Sequence, residues 1–159
     1  MIKQFNTIFI LFILSFSLDA ISHAGLQSSG DVFSGYPLLE KRVGLLTELA
    51  KDAPQLEYFS VNYVNEKKDL ASQCKNISPI TAKKTIKQLL ERVAGSISDD
   101  PFMNDFSNSI DKELEQWIGV STYKMCFGSE SRDYSRSDFA YFKKESSDRW
   151  IEFEVGFEN

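Results

Sequence analysis

Two hydrophobic periods divide the chain. Between Leu39 and Trp117 apolar residues recur mostly every three or four positions, and beyond Gly119 they recur every second position. The first helical segment opens at Pro37, which fits a first-turn position. It runs through Leu39, Val43, Leu46 and Ala50 toward a stop at Pro54. A second opens with Ser78 as cap and Pro79 at the first position, carries Ile86, Leu89, Leu90 and Val93 on one face, and meets Gly95 as a terminal cap. A third opens at Asp100-Pro101, places Met103, Phe106, Ile110, Leu114 and Trp117 on a stripe, and ends at Gly119.

The stretch from Leu56 to Cys74 fits both periods. Phe59, Val61 and Tyr63 alternate, while Leu56, Phe59, Tyr63, Leu70 and Cys74 share a helical stripe. We read a strand near Tyr58–Val64 and then a short helix through Ala71, with strand and helix both left open. After Gly119, "VSTYKMCF" alternates, "GSESRDYSRSD" reads as a Ser-rich loop, and Phe139–Lys143 with Trp150–Phe157 read as a hairpin around "KESSDR". The expected fold is α+β: three or four helices, then a three- to four-stranded antiparallel meander.

The N-terminus changes the frame. Ile8–Leu18 is apolar but too short to span a bilayer comfortably, and Ser22-His23-Ala24 resembles a cleavage site. Residues 1–24 are therefore read as a secretory signal peptide, and no Cys ends the apolar run to carry a lipid. An uncleaved anchor is the less favoured reading, because the run is short and Asp19 follows it directly. Residues 25–159 suit one domain, with Gly25–Gly35 as a loose lead-in and no second apolar run long enough to cross a membrane. The expected location is periplasmic or extracellular.

Export bears on the cysteines. Cys74 and Cys126 are expected to form one disulfide, closing a loop of roughly 50 residues worth about 4 kcal/mol in the chain-entropy picture. Export also removes the only histidine, His23. Histidine-based triads and His-ligated zinc sites are then closed to residues 25–159, and no cofactor or metal is expected. Glycine-rich phosphate loops and EF-hand calcium loops are absent from the sequence. The net charge of −5 gives no footprint for nucleic acid. Asn76 heads an N-x-S sequon, which matters only in a eukaryotic secretory route.

Charge is unevenly spread. Lys67, Lys68, Lys75, Lys83, Lys84, Lys87 and Arg92 precede an acidic stretch of Asp99, Asp100, Asp105, Asp111, Glu113 and Glu115. Solvated helix faces that attract each other are the favoured explanation, ahead of a patch for an anionic surface.

The hairpin carries the candidate site. Pairing Phe142 with Ile151 and Ala140 with Phe153 puts Tyr141 opposite Glu152, Phe139 opposite Glu154 and Lys143 opposite Trp150. If helices cover one face only, Phe139, Tyr141, Trp150, Lys143, Glu152 and Glu154 form an aromatic, charge-rimmed surface of the kind protein partners use. The competing expectation is that the N-terminal segment or the Ser-rich loop covers it. The leading functional expectation is a non-enzymatic exported module binding another exported or envelope protein, as inhibitors and immunity proteins do. The alternative is a carrier of a small apolar ligand between helices and sheet. A hydrolase using the Glu152/Glu154 pair ranks last, since carboxylates two apart on a strand are ordinarily a solvated face.

Overall fold

The computed structural model describes residues 32–97 and 106–158. Among them the order is α1 (Pro37–Ala50), β1 (Leu56–Val64), β2 (Gln73–Ile77), α2 (Pro79–Ile97), α3 (Phe106–Ile118), β3 (Tyr123–Arg132), β4 (Ser135–Lys144) and β5 (Trp150–Glu158). The fold is α+β, with three helices and a five-stranded antiparallel sheet among the described residues. The signal segment and the expected opening of the third helix at Asp100, Pro101 and Met103 lie outside the described residues.

The strand order is β1-β5-β4-β3-β2. Only β3, β4 and β5 form a meander; β1 and β2 are consecutive in sequence yet sit at opposite edges. This corrects the expected three or four strands following all the helices. The short helix expected through Ala71 is also absent: residues 65–72 are irregular, and β2 follows them. The expected hairpin register is present, with Phe139 opposite Glu154, Ala140 opposite Phe153, Tyr141 opposite Glu152 and Phe142 opposite Ile151.

The Ser-rich stretch is not a loop. Its residues extend β3 and β4 in continuous pairing from Gly128↔Phe139 to Arg132↔Ser135, leaving Asp133 and Tyr134 as a tight turn. Gly95 is likewise not a cap, since α2 continues to Ile97. Gly119 does end α3, at φ 66°, a conformation that favours glycine. The Ser78 hydroxyl accepts from the Thr81 N–H at 3.2 Å, capping α2. For α1 the cap comes from another helix: the Leu39 N–H donates to the Glu113 carboxylate at 2.7 Å.

The main core lies between helices and sheet. It joins Leu39, Val43, Leu46, Ile86, Leu90, Ile110 and Leu114 to Val61, Met125, Phe142 and Phe153. Val32 and Phe33, expected in a loose lead-in, are buried instead. Phe33 packs 4.9 Å from the Trp117 ring, and the Trp117 indole N–H donates to the Val32 carbonyl at 2.9 Å. The basic and acidic helices face each other: Lys87 pairs with Asp111 at 2.9 Å and Lys83 with Glu115 at 2.9 Å. Part of the charge asymmetry is thus absorbed between α2 and α3.

Candidate functional site

The opposite-edge placement of β1 and β2 decides what the outer face becomes. The chain leaves β1 at Val64 and must reach Gln73 beyond three intervening strands. Four interstrand steps of ~4.8 Å come to about 19 Å, which eight extended residues span easily. Residues 65–72 therefore form a strap that crosses the face the helices leave uncovered.

The strap packs on a second, small core of Ala71, Cys126, Phe139 and Tyr141, flanked by Val64, Cys74 and Trp150. Lys68 reaches down from it, its ammonium 2.6 Å from the Glu154 carboxylate and 4.9 Å from the centre of the Phe139 ring. Burial alone would lower the Lys68 pKa, but the Glu154 hydrogen bond and the Glu154 and Glu152 charges outweigh it, and the net shift is upward. A Cβ on Gly128 would stand 2.7 Å from the Leu70 carbonyl oxygen and 2.3 Å from the Phe139 ring, so the close crossing requires glycine there. The Cys74–Cys126 disulfide joins directly opposed residues of β2 and β3, Cα atoms 4.1 Å apart, and fixes the strap's far end.

Phe139 and Tyr141 are 3% and 0% exposed, which corrects the expectation that they stand in water. They are covered by the strap; the Ser-rich stretch pairs within β3 and β4, and residues 25–31 of the expected N-terminal cover lie outside the described residues. Glu152 is buried and accepts the Tyr141 hydroxyl proton in a hydrogen bond. Burial first, and then that carboxylate, push the Tyr141 pKa upward. Glu154 accepts from Lys68 and, at 2.8 Å, from the Tyr58 hydroxyl, which also lies 2.9 Å from the Ser137 hydroxyl. The two carboxylates therefore already hold internal donors.

Trp150 is half-buried, with Lys143 over its ring at 5.7 Å, and Arg149 stacks on the neighbouring Tyr63 at 4.1 Å. Of the expected surface, Trp150 and Lys143 are what remains partly open; Tyr63 lies opposite Ile151 and packs against the main core on the other face. Asn76 is exposed on edge strand β2.

The helix side holds a different feature. Facing rows on that side run Phe127–Ala140–Phe153–Val61, then Ser129–Asp138–Val155–Phe59, then Ser131–Arg136–Phe157. The first row packs largely into the main core, with Phe127 left half-buried at its end. In the later rows the sheet runs on beyond the helix packing, and a cleft of about 490 Å³ opens against the C-terminal half of α2. Phe59, Phe153, Val155, Phe157, Leu89 and Val93 form its apolar wall. Leu70, Ser72 and Gln73 of the strap region close one end. Its polar side carries Arg92 from α2 with Arg136 and Asp138 from β4.

Arg136 and Asp138 break the apolar pattern of the β4 inner face, where Ala140 and Phe142 are core residues. They form a two-point ion pair, with Arg136 Nε and Nη2 2.8 and 3.2 Å from the Asp138 oxygens. Sequence reasoning missed both because it assigned them to a loop. The available signal was the alternation Arg136, Asp138, Ala140, Phe142, which continues the strand period backward.

The arrangement can hold an apolar body against aromatic walls with a polar group at the arginines. Among the described residues, no group of three or more His, Cys, Asp or Glu is placed to hold a metal ion, and no helix is long and apolar enough to cross a membrane. No known protein family, curated protein or solved structure matches the chain.

Proposed function

We propose that this protein is an exported, non-enzymatic binding protein that holds a small apolar ligand in the cleft between α2 and the overhanging end of the sheet. The observation that carries the reading is the cleft: its volume of about 490 Å³ lies within the range of small-molecule sites. Its walls are the apolar residues the fold leaves only half-buried, Phe127, Val155, Phe157 and Leu89. Export is supported by the signal-like N-terminus and by the disulfide. A binding role rather than chemistry is supported by the histidine-free chain after position 23 and by Glu152 and Glu154 being engaged internally.

Fluorescence titration with the apolar probe N-phenyl-1-naphthylamine tests it. Saturable binding is expected, weakened about tenfold or more by Ser96→Trp, which fills the α2 side of the cleft, and unchanged by Trp150→Ala. An absence of saturable binding rejects the proposal.

A second reading has a specific observation behind it. Trp150, with Lys143 over its ring, forms a small aromatic–cation cluster at one end of the outer face, a narrower form of the expected surface for an exported protein partner. Probe binding lost in Trp150→Ala and kept in Ser96→Trp would favour this cluster over the cleft.

A further inference from the structure

The cleft's charge points to a class of ligand. Its lining carries two arginines against one aspartate, in a chain whose net charge is −5. Asp138 already occupies Arg136 through its two-point pair. Arg92 is exposed on the rim and has no ion pair among the described residues. The uncompensated charge is therefore one positive charge, held on a guanidinium with its planar donor fork free. A guanidinium of that kind matches a carboxylate in geometry, and a single positive charge matches a monoanion in number. The opposite wall is aromatic and aliphatic, formed by Phe59, Phe153, Val155, Phe157, Leu89 and Val93. At roughly 30 Å³ per non-hydrogen atom, taking liquid water as the guide, the cleft's volume corresponds to on the order of a dozen to sixteen such atoms.

Resting on the reading of the cleft as a ligand site, we infer that its occupant is a medium-length alkyl monocarboxylate, with the chain along the β5–α2 wall and the carboxylate on Arg92. Asp138 serves as a counter-charge: by holding Arg136 it leaves the cleft able to take one negative charge rather than two. This distinguishes the ligand from a neutral apolar molecule, which the aromatic wall would hold without use of the rim. It also distinguishes it from a dianionic phosphate monoester, for which the lining supplies too little positive charge.

The experiment is displacement of N-phenyl-1-naphthylamine from the purified protein by decanoate, decanol and decyltrimethylammonium, which share a chain and differ in the head group. Decanoate is expected to displace the probe about tenfold more effectively than decanol, with the cation weakest. Arg92→Gln should remove the preference for decanoate while leaving decanol unchanged, and Lys84→Gln, an exposed lysine on the same helix, should change neither. Asp138→Asn, which frees Arg136, should strengthen decanoate. Added NaCl should weaken decanoate alone.

If decanol and decanoate displace the probe equally in the unsubstituted protein, the inference about the head group is overturned and the apolar cleft stands. Equal weakening of both by Arg92→Gln would likewise overturn it. If the probe itself does not bind saturably, the cleft reading and this inference fall together.

Discussion

The two faces of the sheet begin from the same alternation of side chains and end covered in different ways. The helix side is sealed by three helices whose stripes insert Leu39, Leu46, Ile86, Ile110 and Leu114 against Met125, Phe142 and Phe153. The outer side is sealed by one strap, a disulfide and the Lys68–Glu154 pair, over a core of a few residues. The difference inverts a simple expectation. The face that looked open, with Phe139 and Tyr141, is shut, and the face that looked shut has an opening where the sheet outruns α2. Aromatic residues on a strand therefore indicate binding only once the course of the long connections is known. In this chain the connection between β1 and β2 determines that course.

Four substitutions separate the two coverings, in descending order of effect. The largest contrast lies between Phe142→Ala and Phe139→Ala. Phe142 is locked under helices that cannot close down on a void, so its loss should cost about 4 kcal/mol. Phe139 lies under a strap that can settle, so its loss should cost about half as much, ~2 kcal/mol. Urea unfolding of both variants measures this, and equal costs would mean the strap is as rigid a cover as the helices.

Gly128→Ala should come next, at about 1–2 kcal/mol, because the added methyl collides with both the strap backbone and the Phe139 ring. Its signature should be local: faster amide exchange at Lys68–Ala71, with exchange in α2 and α3 unchanged. Uniform acceleration throughout the molecule would count against a separate outer cover.

The smallest effect is expected on the helix side. Asp111 meets Lys83 and Lys87, and the hydrogen bond from Lys87 comes first among the causes that hold its carboxyl below 3.8. A carboxyl depressed on folding contributes stability that is present above pH 3.8 and is lost as pH falls through the lower folded value. Because the pair is largely solvated, Asp111→Asn should cost only about 0.3–0.5 kcal/mol at pH 7. It should also flatten the stability profile below pH 4 relative to the unsubstituted protein. An undiminished acid slope in the variant would show that other carboxylates set it.

Local patterns in the sequence anticipated local structure well. The α3 stripe and its glycine stop, the Ser78 cap and the residue-by-residue register of β4 against β5 all follow from side-chain period and short connections, so neighbours along the chain determine them. The disulfide followed from the expected export and from there being only two cysteines. Non-local features were illegible. Leu56–Val64 fits both periods, and only its pairing with β5 makes it a strand. The Ser-rich stretch has weak strand propensity, but its two halves pair through the backbone and continue a ladder already set by Met125–Phe142 and Phe127–Ala140. Gly95 was expected as a cap, but α2 has no left-handed residue there and continues past it.

The candidate site was half legible for the same reason. Tyr141, Glu152, Glu154, Phe139, Lys143 and Trp150 do share one face, as their alternation required. That the strap would cover that face depends on β1 and β2 standing at opposite edges, which no local pattern reports. The cleft residues Arg92, Arg136 and Asp138 come from two distant elements and meet only because β3 and β4 extend through the serines.

The most direct test of the cleft over the aromatic face is an NMR titration of the labelled protein with decanol. Binding in the cleft predicts saturable shifts in the methyl groups of Leu89, Val93 and Val155 and in the ring of Phe157, while the Trp150 indole and the amides of residues 65–69 stay in place. Shifts centred on Trp150 and Lys143 with a silent cleft, or no saturable shift at all, would contradict it.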